Sequence, residues 1–124
     1  MRGEADLIEA CAGLIDQGES PEAAVRREAL EELGLAVGSV ELLASSWPMA
    51  AISTEKVHLY LAPYRDADRV GPGGGLASEH ENITVLEMPL DDILNRVRTG
   101  CLTDMKTLVL VLALKDRHPE LFST

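Results

Sequence analysis

The stretch from Ser20 to Gly34 constrains this chain more than any other, because it carries a complete set of helix signals. Ser20 is a favoured N-cap residue, and Pro21 follows at the first helical position, where its missing N–H leaves no hydrogen bond unmade. Glu22 lies in the first turn, where a negative charge is favourable. Gly34 is placed to end the helix in the left-handed conformation. The sequence therefore predicts a helix over residues 21–33.

Three carboxylates share one face of this predicted helix. At roughly 100° per residue, Glu28, Glu31 and Glu32 fall within about 100° of one another. The apolar residues expected on the other side, towards a core, are Ala29, Leu30 and Leu33. Like charges three and four residues apart destabilise a helix, and a hard cation such as Mg²⁺ or Mn²⁺ would relieve that repulsion. Because acidic helix faces are more often simply solvated, the spacing alone leaves both a metal site and a solvated face open.

The charge and cysteine content exclude several classes of partner. The chain of 124 residues has 21 acidic and 11 basic residues, a formal net charge of −10, and no Lys/Arg cluster suited to nucleic acid. Cys11 and Cys101 have no cysteine partner nearby, which argues against a disulfide or zinc framework and for a reducing, cytoplasmic compartment. The chain begins without an apolar signal segment, and its longest apolar run, residues 108–114, is too short to span a bilayer. We therefore expect a single cytoplasmic domain with neither nucleic acid nor membrane as partner.

The remaining patterns alternate between strand and helix, which indicates an α+β fold with helices outside a sheet. Strands are predicted over residues 40–46, 56–62 and 83–88, an extended segment over 5–12, and loops over 13–19, 47–55 and 66–82. Helices are predicted over residues 89–98, closed by Gly100, and 104–117, capped by Thr103. The glycines of residues 73–75 would give their loop hinge freedom. Trp47 is expected in the core rather than stacked on a base.

The acidic helix and the loop ahead of it resemble the Nudix box. Five residues separate Gly13 from Glu19, seven more separate Glu19 from Arg27, and Arg27 opens the run that ends at Leu35. The spacing matches the pattern G-x5-E-x7-R-E-U-x-E-E-x-G-U, where U is a bulky aliphatic residue. Ala29 is the one departure, since it is smaller than the pattern asks. This resemblance turns an ambiguous acidic face into a predicted metal site.

The flanking sequence narrows the resemblance to one branch of the Nudix hydrolases. Residues 7–16 and 75–83 are similar to the nucleoside diphosphate sugar pyrophosphatases, which include GDP-mannose and ADP-ribose pyrophosphatases. The resemblance implies an α/β/α sandwich with a mixed sheet, a Mg²⁺ cofactor with Mn²⁺ as an alternative, a nucleotide sugar substrate and a homodimer. The family has strands ahead of the box, whereas the box glycine here is residue 13. We therefore expect one Nudix domain over residues 1–124 that lacks those N-terminal strands.

The resemblance also implies a role for each matching residue. Metal ligands would be the Ala12 carbonyl, Glu28, Glu32 and Glu81. Catalytic residues would be Glu79 as the base and Glu31, which could also reach the metal through water. Residues with a structural role in the motif would be Gly13 and Gly34, at backbone turns, and Glu19 and Arg27, as an ion pair.

Substrate specificity is the least determined property. Related enzymes have a Ser-Pro-Gly-Gly-like loop ahead of a substrate-contacting Glu, and here the corresponding stretch, residues 49–55, retains only Glu55. Two alternatives to a nucleotide sugar pyrophosphatase therefore stay open. One is a different Nudix nucleotide pyrophosphatase, and the other is an inactive, truncated Nudix domain that acts as a binding module.

Overall fold

The computed structural model describes residues 10–11, 15–49, 56–75 and 83–123, which fall into two compact units. One unit comprises residues 11–86 and the other comprises residues 1–10 and 87–124. The described residues form helices and a two-stranded antiparallel sheet, so the α+β class is confirmed. The extended segment predicted over residues 5–12 and the start of the loop predicted over 13–19 lie mostly outside the described residues.

The predicted acidic helix is present with the predicted signals at both ends. Helix α1 is Pro21–Glu28, and a π-helical turn, Ala29–Leu33, continues it. The Ser20 hydroxyl accepts a hydrogen bond from the Ala23 N–H at 3.1 Å, which satisfies one N–H of the first turn. Gly34 ends the helix with φ of 71°, in the left-handed region that favours glycine.

The π turn changes which side chains of the helix are buried. Ala29 is buried as predicted, but Leu30 is 48% exposed, so the prediction that it faces a core is wrong. The turn has the wider i→i+5 hydrogen bonding, and residues after Glu28 therefore depart from the regular α-helical rotation on which the prediction was based. Glu28 and Glu32 are buried in place of Leu30, which puts two carboxylates on the packed side of the helix.

The sheet follows α1 and consists of strand β1, Glu41–Ser46, and strand β2, Val57–Leu61. The strands pair antiparallel, from Glu41 opposite Leu61 to Ser46 opposite Val57, with an irregularity between Leu42 and Ala44. Both strands are confirmed, each one residue shorter than predicted at one or both ends. One apolar side chain from each strand is buried, namely Leu43 and Leu59. Trp47, which follows β1, is half exposed, so its predicted place in the core is wrong.

The third predicted strand is wrong. Residues 83–86 alternate between half-buried and exposed, but Leu86 and Glu87 are both exposed, and the segment pairs with no strand in the described part of the chain. A strand is defined by hydrogen bonds to a neighbour, and an alternating pattern predicts the side-chain directions without supplying that neighbour. The described residues therefore show a two-stranded antiparallel sheet and not a mixed one.

The other unit is built on two helices and a short 3₁₀ turn. Helix α2 is Leu90–Arg98, helix α3 is Met105–Arg117, and the turn is Pro119–Leu121. Its buried core is apolar and consists of Ile93, Leu94, Leu102, Val111 and Phe122. Both helices are confirmed, including the helical reading of residues 108–114. None of the helices in the described ranges is long and apolar enough to cross a membrane.

The end signals of α2 and α3 were predicted in part. Gly100 follows α2 with φ of 76°, as expected for a residue that closes a helix. The cap of α3 is Asp104 rather than Thr103, because the Asp104 carboxylate accepts the Thr107 N–H at 2.9 Å. The same carboxylate contacts the Lys106 ammonium at 3.0 Å, so it also neutralises a nearby charge.

Candidate functional site

Two buried carboxyl groups lie at the centre of the acidic helix. Glu28 is 8% exposed and Glu32 is 7% exposed, and their side chains are hydrogen-bonded to each other. The pKa of Glu28 is raised to about 7, chiefly by burial and then by the hydrogen bond with Glu32, while the hydrogen bond with Arg27 opposes both effects. A hydrogen bond between two carboxyl groups requires a proton, so the pair holds less than two full negative charges near neutral pH.

Arg27 connects the carboxylates of the helix to the loop that precedes it. Its Nε and Nη2 atoms donate to the two carboxylate oxygens of Glu19 at 2.9 and 3.1 Å. Its Nη1 atom donates to Glu28 at 2.7 Å and to Glu31 at 3.3 Å. The planar guanidinium suits such paired contacts better than an ammonium would. The ion pair predicted between Glu19 and Arg27 is present, and it belongs to a larger network.

Glu19 also forms two hydrogen bonds within the loop that precedes the helix. Its carboxylate accepts the Asp16 N–H at 2.9 Å, and its own N–H donates to the Asp16 carbonyl at 3.0 Å. The hydrogen bond with Arg27 is the main reason that the pKa of Glu19 lies below its usual value. Asp16, which the sequence did not single out, contributes a carboxylate 3.4 Å from Arg27 Nε. These contacts hold the box loop against the helix.

Several predicted site residues lie outside the described residues and cannot be placed. They are Ala12, Gly13, Glu55, Glu79 and Glu81. The structure brings the remaining ones together on one helix and its loop, namely Glu19, Arg27, Glu28, Glu31, Glu32 and Gly34. Their roles stay predictions, although their proximity is a property of the fold.

The described residues fit a divalent cation through the chemistry of the Glu28–Glu32 pair. Both groups offer carboxylate oxygens, which Mg²⁺ and Mn²⁺ prefer, and their burial limits competition from water. A divalent cation held by Glu28 and Glu32 would favour their ionised forms and so offset the raised pKa of Glu28. Within the described ranges, no three His, Cys, Asp or Glu side chains converge as a ligand group. The described part of the site therefore supplies two close carboxyl groups.

The glycine triplet, Gly73, Gly74 and Gly75, lies against the C-terminal end of the π turn. Two of its amides donate to the helix: Gly74 N–H to the Glu32 carbonyl at 2.8 Å, and Gly75 N–H to the Glu31 carbonyl at 3.0 Å. All three glycines have left-handed φ angles. The prediction that these glycines serve as a free hinge is therefore corrected, because two of them are hydrogen-bonded to the helix that carries the carboxylates.

A model of the NUDIX domain matches residues 2–108 of this sequence. The chain belongs to the Nudix family. GDP-mannose pyrophosphatase from Cronobacter sakazakii is 45% identical over 111 residues, which is 90% of this chain and 56% of that protein. GDP-mannose pyrophosphatase from Escherichia coli is 42% identical over 112 residues, which is 90% of this chain and 57% of that protein. The chain thus spans little more than half the length of these curated relatives.

A solved structure from Deinococcus radiodurans is similar at 23% sequence identity and a TM-score of 0.49. The similarity covers 81% of this chain and 61% of that one. Family membership rests on the domain match and on the relatives, whose identity extends over most of this chain.

Proposed function

We propose that this chain contributes the metal-binding and catalytic part of a Nudix hydrolase that cleaves the diphosphate linkage of a nucleoside diphosphate sugar. The observation that carries the proposal is the buried, hydrogen-bonded pair of Glu28 and Glu32, held beside Arg27. The substrate class is supported by the relatives, which are named GDP-mannose pyrophosphatase. GDP-mannose would give GMP and mannose 1-phosphate.

The chain's own residues would act in three ways. Glu28 and Glu32 would hold the cation, and Glu31 would approach it through water while Arg27 fixes its carboxylate. The cation, Mg²⁺ or Mn²⁺, would neutralise the diphosphate and lower the pKa of bound water. Arg27 would keep the carboxylates aligned, since its contacts reach both the helix and Glu19. The further assignments that we propose are Ala12 and Glu81 as ligands, Glu79 as base, Glu55 as a substrate contact and Gly13 at a backbone turn.

We also propose that residues 1–124 form a single domain, whose complete sheet is mixed and lies within an α/β/α sandwich. The family match supports this, because it runs without a break through parts of both compact units. A homodimer in the cytoplasm is the expected state, and the two cysteines of the chain, neither of which forms a disulfide, fit a reducing compartment.

The test is GMP release from GDP-mannose by the full chain and by Glu32→Gln, with Glu22→Gln as the matched control. Glu22 lies on the same helix, and its side chain is 57% exposed and paired with Arg26 at 3.6 Å. Removal of one buried carboxylate ligand should lower Mg²⁺-dependent turnover by about 100-fold or more, whereas the control should keep the parent rate.

A panel with ADP-ribose and a nucleoside triphosphate separates the related activities. Consumption of the triphosphate alone would refute the sugar assignment. A parent chain that binds Mn²⁺ but releases no nucleoside monophosphate from any of these substrates would refute the hydrolase assignment.

A further inference from the structure

The last turn of the acidic helix is completed by a distant part of the chain. The final carbonyls of a helix have no partner within the helix and are usually satisfied by water or by the following residues. Here the carbonyls of Glu31 and Glu32 accept N–H groups from Gly75 and Gly74, which lie more than 40 residues later in the sequence. The Gly34 carbonyl is satisfied in the same way, by the Val70 N–H at 2.9 Å.

The contact is too close for a side chain at the first glycine of the triplet. A Cβ atom on Gly73 would lie 2.5 Å from the Glu32 carbonyl oxygen and 2.7 Å from the Leu33 carbonyl carbon. Both are backbone atoms, so neither can move aside without movement of the helix itself. Gly34 shows the same constraint from the helix side, because its Cβ would lie 2.6 Å from the Gly71 carbonyl carbon.

Glu31 and Glu32 are therefore held both through their backbone carbonyls and through their side-chain carboxylates. Their carbonyl oxygens bind the glycine triplet, while the Glu31 carboxylate contacts Arg27 and the Glu32 carboxylate contacts Glu28. The backbone between these contacts is a π turn, a conformation that is rare and that occurs frequently at functional sites. Loss of the triplet would free this turn to rotate the two carboxylates.

We propose that the glycine triplet is a positioning element for the cation site, with Gly73 as the residue that leaves no room for a side chain beside the helix. It acts through backbone hydrogen bonds on the residues that bear the carboxylates, and it contributes no ligand. The inference rests on the proposed role of these carboxylates in cation binding, and it can be tested without turnover. Supporting groups around a metal site typically change metal affinity by about 10- to 100-fold when they are removed.

The experiment compares Gly73→Ala with Gly71→Ala in the full chain, with Mn²⁺ affinity measured by electron paramagnetic resonance. Gly71 is a matched control, since a Cβ there meets nothing within 4 Å and its φ is not left-handed. We expect Gly73→Ala to weaken Mn²⁺ binding by about tenfold or more, and Gly71→Ala to bind as the parent does. Exchange of the Gly75 amide, followed by NMR, should accelerate only in Gly73→Ala.

A second control separates positioning from loss of stability. Ser20→Ala removes the cap at the opposite end of the helix and should lower the stability of the protein without changing its Mn²⁺ affinity. If Gly73→Ala does not fold, Gly74→Ala replaces it, because a Cβ at that position meets only the Ile83 carbonyl oxygen, at 3.5 Å, while φ of 99° strains the backbone. Severalfold weaker Mn²⁺ binding by Gly74→Ala would then support the proposal.

Two outcomes would overturn the inference: parent-like Mn²⁺ affinity in the folded glycine variant, or an equal loss of affinity in Ser20→Ala. Failure of the proposed function would give a different result. The parent chain would bind Mn²⁺ and Gly73→Ala would bind it more weakly, but neither protein would hydrolyse a nucleoside diphosphate sugar.

Discussion

The buried carboxyl pair leads to an unusual prediction for Glu28→Gln: removal of this candidate site carboxylate should stabilise the metal-free protein at alkaline pH. The pKa of Glu28 is raised from 4.5 to about 7, chiefly by burial and then by the hydrogen bond with Glu32. A raised carboxyl pKa costs no stability below the unfolded value, where both states are protonated. The cost grows as the pH rises and is complete above the folded value. A glutamine at this position stays neutral and can still donate to Glu32.

The magnitude follows from the size of the shift. The rise of the Glu28 pKa from 4.5 to about 7 corresponds to a cost on the order of 3 kcal/mol. The side chain of Glu28 is only 10% exposed, so solvent screening reduces this figure little. For a chain of 124 residues, a change of 3 kcal/mol corresponds to a shift in the melting temperature of roughly 10 °C.

The assay is thermal unfolding of the parent and of Glu28→Gln in EDTA between about pH 5 and pH 8, followed by circular dichroism. The two melting temperatures should nearly coincide at the acidic end and diverge towards pH 8, where the variant melts higher. Addition of Mn²⁺ at pH 8 should stabilise the parent more than the variant, because only the parent offers both carboxylates. A variant that melts at or below the parent at pH 8 without metal, or a difference that does not depend on pH, would refute the reasoning.

Two further substitutions test other contacts of the structure. Glu19→Gln should lower the melting temperature at neutral pH, because the Glu19 carboxylate pairs with Arg27 and the pKa of Glu19 lies below its usual value. The difference in melting temperature between the variant and the parent should disappear as the pH falls through that lowered pKa. A difference that persists in acid would contradict the ion pair. Asp104→Ala should cost about 1 kcal/mol in urea unfolding through loss of the α3 cap, whereas Thr103→Ala should be near neutral, and equal costs would show that the cap is misassigned.

Local signals in the sequence predicted most of what the structure shows within single elements. Ser20, Pro21 and Gly34 delimit the acidic helix because capping depends on the residues at its ends and on little else. Residues 108–114 were also assigned to a helix from local signals, namely a capping residue ahead of the segment and the length of the segment. The same logic failed at Thr103, where two adjacent residues could both cap and only the structure shows that Asp104 does.

Long-range contacts could not be predicted, and they account for the larger errors. Residues 83–88 have the composition of a strand, but pairing depends on a neighbour that the composition does not specify. The glycine triplet can be recognised in the sequence, but the prediction that it is a free hinge was wrong. Glycine also permits close contact between two backbones, and the triplet serves that role here. The exposure of Leu30 was missed for a related reason: a π turn leaves no clear signal in side-chain spacing.

The opposite pKa shifts of Glu19 and Glu28 show why this network suits a cation. Both carboxylates accept hydrogen bonds from Arg27, yet the pKa of Glu19 is lowered while that of Glu28 is raised. Glu19 takes both ends of the guanidinium fork, whereas Glu28 is buried, takes one nitrogen and faces a second buried carboxyl group. Arg27 therefore neutralises Glu19 in the loop, but it does not neutralise all the negative charge that the Glu28–Glu32 pair of the helix can carry. The remaining charge can be met by a proton or by a divalent cation, and only the cation would also attract a diphosphate.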